Sequence, residues 1–406
     1  MDIDVRPFSG EARAFFEAGE LAFGERPRDS DIAQWEPLFE ADRAIGAYDG
    51  DRLVGTAGIY SFELTVPGGV LPAAGVTIVG VLPTHRRQGI LRRMMRLQID
   101  AIHERGEPIA ILWASEGGIY QRFGYGLASM HVGVKVKRSR NAFRRPHIPA
   151  GRLRFVDVDE AKRLFPPVYE AVRLDRPGFF ARSPTYWETD FFPDPEHWRR
   201  GASAAFHVVH ETGADTDGYA RYRLREGSEE EDRGSSLIVT EMMATNPAAH
   251  LDLWRYLLDV DLMARVDAWN LATDDPLILA VAEPRRLGLD GGDALWLRVL
   301  DIPAALGGRG YRSDGSVVLQ ITDEFCDWND GRWALSVEHG IASAGSTTDA
   351  PDIACDITDL AAAYLGAFSF AQLAAAGRVR ELAPGGVARA DALFRTDRAP
   401  WCPRVF

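Results

Sequence analysis

The chain has 406 residues, 46% hydrophobic and 26% charged, with a formal charge of −13 at pH 7. That composition excludes the low-hydrophobicity class that stays disordered, and the length exceeds what one core organises, so two or three domains are expected. The acidic excess either serves solubility or repels nucleic acid and anionic membranes while drawing cationic small molecules toward the surface.

No apolar run approaches the ~20 residues of a membrane helix, and acids stand in Met1–Arg6 where a secretory signal carries bases. Neither membrane nor nucleic acid is therefore expected as a partner. Cys326, Cys355 and Cys402 are widely spaced and have no histidine at ligand spacing. This predicts no disulfide framework and no metal site, and fits a reducing cytoplasm.

Apolar residues at helical spacing predict helices over Gly10–Phe23 and Ser30–Arg43. Arg52–Val66 alternates like a hairpin strand, and Val76–Leu82 reads as a buried strand stopped by Pro83. A helix follows from about Gly89 to Arg105, then a strand at Ile109–Ala114, a turn-helix at Ser115–Phe123 and a closing strand near Leu127–Lys137. A similar order recurs later. The helix Asp159–Val172 precedes strands at Ala204–His210 and Tyr219–Arg225, a solvated hairpin tip at Glu226–Gly234 and a strand at Leu237–Ala244. A helix from Pro247, capped by Asn246, and a strand at Val266–Leu271 complete this copy. It has Thr-Asn-Pro-Ala-Ala-His where the first has Thr-His-Arg-Arg-Gln-Gly, which points to a structural role.

From Leu295 the order changes: a strand at Leu295–Asp301, a short helix at Ile302–Leu306, a hairpin through Asn329–Gly331, and helices over Leu360–Ala367 and Phe370–Ala376. The units expected are 1–145, 146–292 and 293–406. The tail, Arg398 to Phe406, contains two prolines and a tryptophan, too apolar for a free end, so it is expected to pack.

The segment Val79–Arg92 joins a strand to a helix through a basic turn containing Gly89. A helix start with free N–H groups and positive dipole binds anions, and glycine lets the backbone approach closely. Arg86, Arg87, Arg92, Arg93 and Arg96 add the charge that a pyrophosphate and a ribose phosphate require, and coenzyme A carries both. A solvated helix start is the plainer alternative. His85, inside the turn, reads as a cofactor contact or a packing residue rather than a base.

Arg86-Arg-Gln-Gly-Ile-Leu91 resembles the pyrophosphate loop of GCN5-related N-acetyltransferases (GNAT), departing from it at Leu91. With Ala114–Gly126 and the helices around Asp359–Ala376, the whole chain resembles the Eis (enhanced intracellular survival) branch of that superfamily. The resemblance implies an α/β (α+β) fold of two tandem GNAT-like domains and a sterol-carrier-protein-like α+β C-terminal domain, assembled as a homo-hexamer. It further implies acetyl-CoA as acyl donor, held by Val79, Gly80, Val81, Arg87, Gln88, Gly89, Ile90, Leu91, Arg92, Ser115 and Glu116. It makes Tyr120 the general acid and the α-carboxylate of Phe406 the base, and it implies amines of aminoglycosides or lysine side chains as acceptors. Trp35 and the acids Asp29, Asp31 and Glu36 are candidates for the acceptor pocket. A non-catalytic lipid- or acyl-CoA-binding scaffold is the rival reading; retention of Arg87–Arg92 and Tyr120 speaks against it.

Overall fold

The alternating segments of the first third become β1 (Ile3–Pro7), β2 (Ile45–Asp49), β3 (Arg52–Val66), β4 (Gly69–Val81), β5 (Ile109–Trp113) and β6 (Gly126–Leu127) in a computed structural model describing residues 3–227 and 234–406. The tip expected at Glu226–Gly234 lies largely outside the described residues. Helix α1 (Ala12–Phe23) buries Ala12, Phe15, Phe16, Gly19 and Ala22 on this sheet and stops at Gly24, whose left-handed backbone closes its end. Helix α2 (Asp29–Trp35) is shorter than the predicted Ser30–Arg43. Pro37 cannot continue the hydrogen-bond ladder, and single 3₁₀ turns replace the remainder. Helix α3 (Ile90–Glu104) crosses from β4 to its parallel neighbour β5.

The second sheet contains β7 (Met130–Lys137), β8 (Arg152–Val156), β9 (Phe206–Thr212), β10 (Asp215–Arg225), β11 (Ser236–Ala244), β12 (Arg265–Leu271) and β13 (Asp290–Asp293), with α4 (Val158–Leu174) on one face. The succession β8 to β12 repeats β1 to β5, antiparallel until a last parallel pair, β11 with β12, bridged by the helix Pro247–Asp259. Asn246 caps that helix as expected, its side chain accepting from the Ala249 N–H at 2.9 Å.

Two strands depart from their expected units. β14 (Leu295–Val299), predicted to open the third unit, lies between β5 and β6 in the first sheet. All five of its residues are buried, as a strand paired on both edges and covered on both faces requires. β7, predicted to close the first unit, instead pairs with β12 and β13 and sends Val134 and Val136 into the second core. The third sheet, β15 (Gly315–Thr322), β16 (Gly331–Glu338), β17 (Ile341–Ser346), β18 (Ile353–Asp356) and β19 (Arg380–Glu381), is packed by the wholly buried helix Ile357–Tyr364. A Cβ on Gly126 would stand 2.0 Å from the Thr358 carbonyl oxygen, so glycine is what lets this helix reach the first sheet.

The same junction is locked by a buried ion pair. Arg298 of β14 donates to Asp323 at 2.5 Å with both side chains fully buried, and Asp323 also accepts from the Phe325 and Cys326 N–H groups. Asp323→Ala strands the guanidinium and is expected to cost about 3–5 kcal/mol in urea unfolding. A loss below about 1 kcal/mol would contradict this.

Candidate active site

β4 and β5 pair only from Ala73–Gly75 to Ile109–Ile111, after which they part. One edge of Val76–Val81 is thereby left without a strand partner, and extended amide groups can hydrogen-bond to it. A bulge places Ile78 and Val79 opposite Ala57, with Ile78 at φ 50° held by a bond from the Thr56 hydroxyl to its carbonyl at 2.9 Å. Bulges and strained residues of this kind re-aim backbone groups beside functional sites.

The parting opens a cleft of about 680 Å³ lined by Val79, Gly80, Val81, Arg87, Gly89, Ile90, Leu91, Arg92, Ser115, Glu116 and Tyr120. Eleven residues predicted from three separate segments therefore meet in one space; Gln88 stands exposed in the turn beside it. Ala22, Phe23, Ile119, Arg122 and Phe123, unforeseen because nothing in their spacing separates them from ordinary helix ends and turns, complete the wall together with His85 and Arg86. Gly89, at φ 77°, heads α3 without any side-chain cap, so the first N–H groups of that helix face the cleft uncapped. The arginines divide. Arg87 and Arg92 line the cleft and, among the described residues, pair with no carboxylate. Arg86 is committed to the Val81 and Ala22 carbonyls at 3.1 and 2.8 Å, Arg96 to the Phe325 carbonyl, and Arg93 opens onto a neighbouring hollow. His85 is buried on the cleft wall, its ring against Thr84 and Asp49.

A Cβ at Gly89 would meet nothing within 4 Å, so Gly89→Ala adds backbone strain and a methyl group on the cleft side without a clash. The strain is worth about 1 kcal/mol, and KM for acetyl-CoA is expected to rise about fivefold with kcat little changed. An unchanged KM would remove this loop from donor binding.

Tyr120 is buried edge-on against Tyr125, with ring centroids 5.9 Å apart, and burial pushes its phenol up to about 12. It reaches β4 from the face carrying Ala74 and Val76. Phe406 approaches from the opposite face, its ring edge-on to Phe62 at 5.1 Å and Phe180 at 5.4 Å, where Gly75 leaves room for it. Acid and base candidates thus flank the point at which β4 and β5 separate. All three cysteines are buried, with thiols held above their ordinary range by burial, Cys402 at about 11, so none offers a ready thiolate.

Asp31 and Trp35 lie elsewhere. Burial opposes ionisation of Asp31, but bonds from His197 at 2.6 Å, the Arg28 N–H and Trp198 hold its carboxyl below the usual range. It pins α2 to the second unit beside a separate hollow of about 400 Å³, and Trp35 packs on Phe16. Sequence alone gives no hint of that partnership, since His197 stands 166 residues away.

Residues 6–128 and 178–299 each match an acetyltransferase (GNAT) domain, and residues 302–403 match a sterol carrier protein domain. An uncharacterized N-acetyltransferase of Streptomyces avermitilis is 42% identical over 377 residues, covering 92% of this chain and 91% of its own. The N-acetyltransferase Eis of Mycobacterium tuberculosis is 36% identical over 381 residues, 89% of each chain. The crystal structure of Eis1 from Mycobacterium abscessus superposes with a TM-score of 0.85 at 32% identity, covering 99% of this chain and 100% of its own. The chain is accordingly an acetyltransferase and belongs to the Eis family of GCN5-related N-acetyltransferases, with two GNAT units followed by a sterol-carrier-like unit.

Proposed function

We propose that the protein moves the acetyl group of acetyl-CoA to primary amines of cationic acceptors, aminoglycoside-like molecules or lysine side chains, by direct attack in a ternary complex. The observation that carries this reading is the meeting of Val79–Val81, Arg87, Gly89–Arg92, Ser115–Glu116 and Tyr120 in one cleft. The uncapped start of α3 with Arg87 and Arg92 would hold the pyrophosphate, and the free edge of β4 would take the amide-bearing arm of the donor. The thioester then sits where the strands part, open to an amine from the Phe406 side.

An ammonium of pKa ~10 must lose a proton before attack, at a cost of about 4 kcal/mol at pH 7. The Phe406 carboxylate, a weak base on its own, takes that proton through water or stabilises the cation while bulk solvent takes it. Nitrogen attacks the carbonyl carbon, the C–S bond breaks, and sulfur leaves with the second amine proton, passed by way of the Tyr120 hydroxyl. The products are the amide, the CoA thiol and one proton released to solvent. Buried thiols at Cys326, Cys355 and Cys402 support attack without a covalent enzyme intermediate.

Because Asp31 is engaged by His197 and Asp190 by Arg404, the acid that would draw a cationic acceptor toward the Phe406 face is Glu40, which acts on the Tyr60 hydroxyl. No helix among the described residues is long and apolar enough to cross a membrane. A cytoplasmic homohexamer with units at 1–145, 146–292 and 293–406, less the strands β7 and β14 that pair outside them, completes the proposal, on the strength of the family resemblance. Thiol release, assayed with acetyl-CoA and a panel of polyamines, aminoglycosides and lysine peptides, is expected to give turnover with at least one polycation. Failure of every amine, with acetyl-CoA still raising the melting temperature, would turn the reading toward a binding protein.

A further inference from the structure

The second unit repeats the parting of strands seen in the first. β11 pairs with β12 only from Ser236–Val239 to Arg265–Ala268, and beyond that a hollow of about 250 Å³ opens. Met242–Ala244 border it as Val79–Val81 border the donor cleft, and the turn before the helix Pro247–Asp259 stands in the place of the basic loop. The basic loop is missing, and the acids on the hollow's wall are paired there, Asp274 with Arg176 at 2.6 Å and Asp275 with His250 at 3.1 Å. The chain's own tail enters it.

Trp401 and Arg398 line this hollow. The Trp401 indole N–H donates to the Asn270 side chain at 2.8 Å, and the Asn270 amide donates to the Cys402 carbonyl at 3.0 Å. Asn270 lies on β12, two residues beyond Ala268, the last to pair with β11, in the irregular stretch between Ala268 and Leu271. The Trp401 N–H donates to the Pro177 carbonyl at 2.9 Å, the Ala399 N–H to Asp274 at 3.0 Å, and Arg404 to Asp190 at 2.5 Å. From the first unit come one indole bond, Trp113 to the Cys402 sulfur at 3.3 Å, and the ring of Phe62 against Phe406.

We propose that the cleft of the second unit grips the tail where its counterpart takes an acyl donor, and that Asn270 is the positioning residue that sets the Phe406 carboxylate at the strand parting of the first unit. This rests on the Phe406 carboxylate serving as base. In the full-length protein, Asn270→Ala is expected to lower kcat at least tenfold, to leave KM for acetyl-CoA within about twofold, and to speed hydrogen exchange at the Trp401 N–H. Trp401→Phe keeps the ring against Phe179 and removes one hydrogen bond, so it should give a smaller fall in kcat with the fold intact. Adding one residue after Phe406 to the Asn270→Ala variant should cost less than about a further twofold, because the carboxylate is already displaced. Unchanged kcat and exchange in Asn270→Ala, or losses that multiply in the combined variant, would overturn the proposal. If the added residue alone leaves turnover normal, the base reading falls and the positioning role with it. Faster Trp401 exchange in Asn270→Ala then still supports the grip of the second unit on the tail, and unchanged exchange refutes it.

Discussion

Tyr120→Phe is expected to lower kcat at least tenfold while KM for acetyl-CoA stays within about twofold. The hydroxyl makes no hydrogen bond to protein among the described residues, and the ring keeps its contact with Tyr125, so the substitution leaves the fold undisturbed. What it removes is a donor aimed at developing charge on sulfur, and hydrogen bonds to charged groups are worth about 1.5–3 kcal/mol, or roughly ten- to a hundredfold in rate. Burial modifies the chemistry expected of a free phenol. With its phenol near 12, Tyr120 is a weaker acid than the CoA thiol, whose ordinary pKa is ~8.5, so handing over its proton alone is uphill by roughly 5 kcal/mol. On the proposed mechanism the hydroxyl would therefore stabilise the leaving thiolate by hydrogen bonding and transfer its proton only as it regains one from the amine side. The sign follows: a group with its pKa near 12 stays protonated through pH 10, so Tyr120 causes no alkaline fall in rate in that range. A rate maximum near pH 8 with a loss above it that disappears in Tyr120→Phe would refute the assignment.

A single alanine added after Phe406 should reduce turnover at least tenfold at pH 7. The addition turns the α-carboxylate into an amide and moves the new terminus about 3.5 Å onward, while the Phe406 ring keeps its seat between Phe62 and Phe180. The deficit should shrink as pH rises toward the pKa of the acceptor amine, because solvent then supplies the free base that the carboxylate no longer helps to form. Steady-state rates from pH 6.5 to 9.5 decide it. A deficit constant across that range would assign the tail a packing role instead.

The cleft between β4 and β5 was readable because its charges and its glycine fall in one contiguous segment at a strand-to-helix turn, where local geometry dictates what the residues face. The same local reading could not sort the arginines: Arg86 and Arg87 are adjacent on the cleft wall, and only the fold ties the first to the Val81 and Ala22 carbonyls while the second has no carboxylate partner among the described residues. The environment of Asp31 was hidden for a similar reason, since a carboxylate on a short helix looks free until His197 is brought to it. Periodicity predicted most strands but could not assign β7 and β14 to their sheets. Alternation tells which face of a strand is apolar and says nothing about which neighbour it pairs with. The apolar tail, by contrast, did announce that it packs, and the acids and amides that hold it were hidden in the second unit.

The exchange of β7 and β14 also constrains how the molecule is made. The seat between β5 and β6 stays empty until Leu295–Val299 has left the ribosome, more than 160 residues after β6. The first half therefore cannot finish folding as it emerges, and must wait with an apolar seam exposed until the second half is nearly synthesised, a topology that folds slowly and invites aggregation when the chain is cut short. A shortened gene ending at residue 145 should consequently yield insoluble protein, however complete its cofactor loop looks on paper.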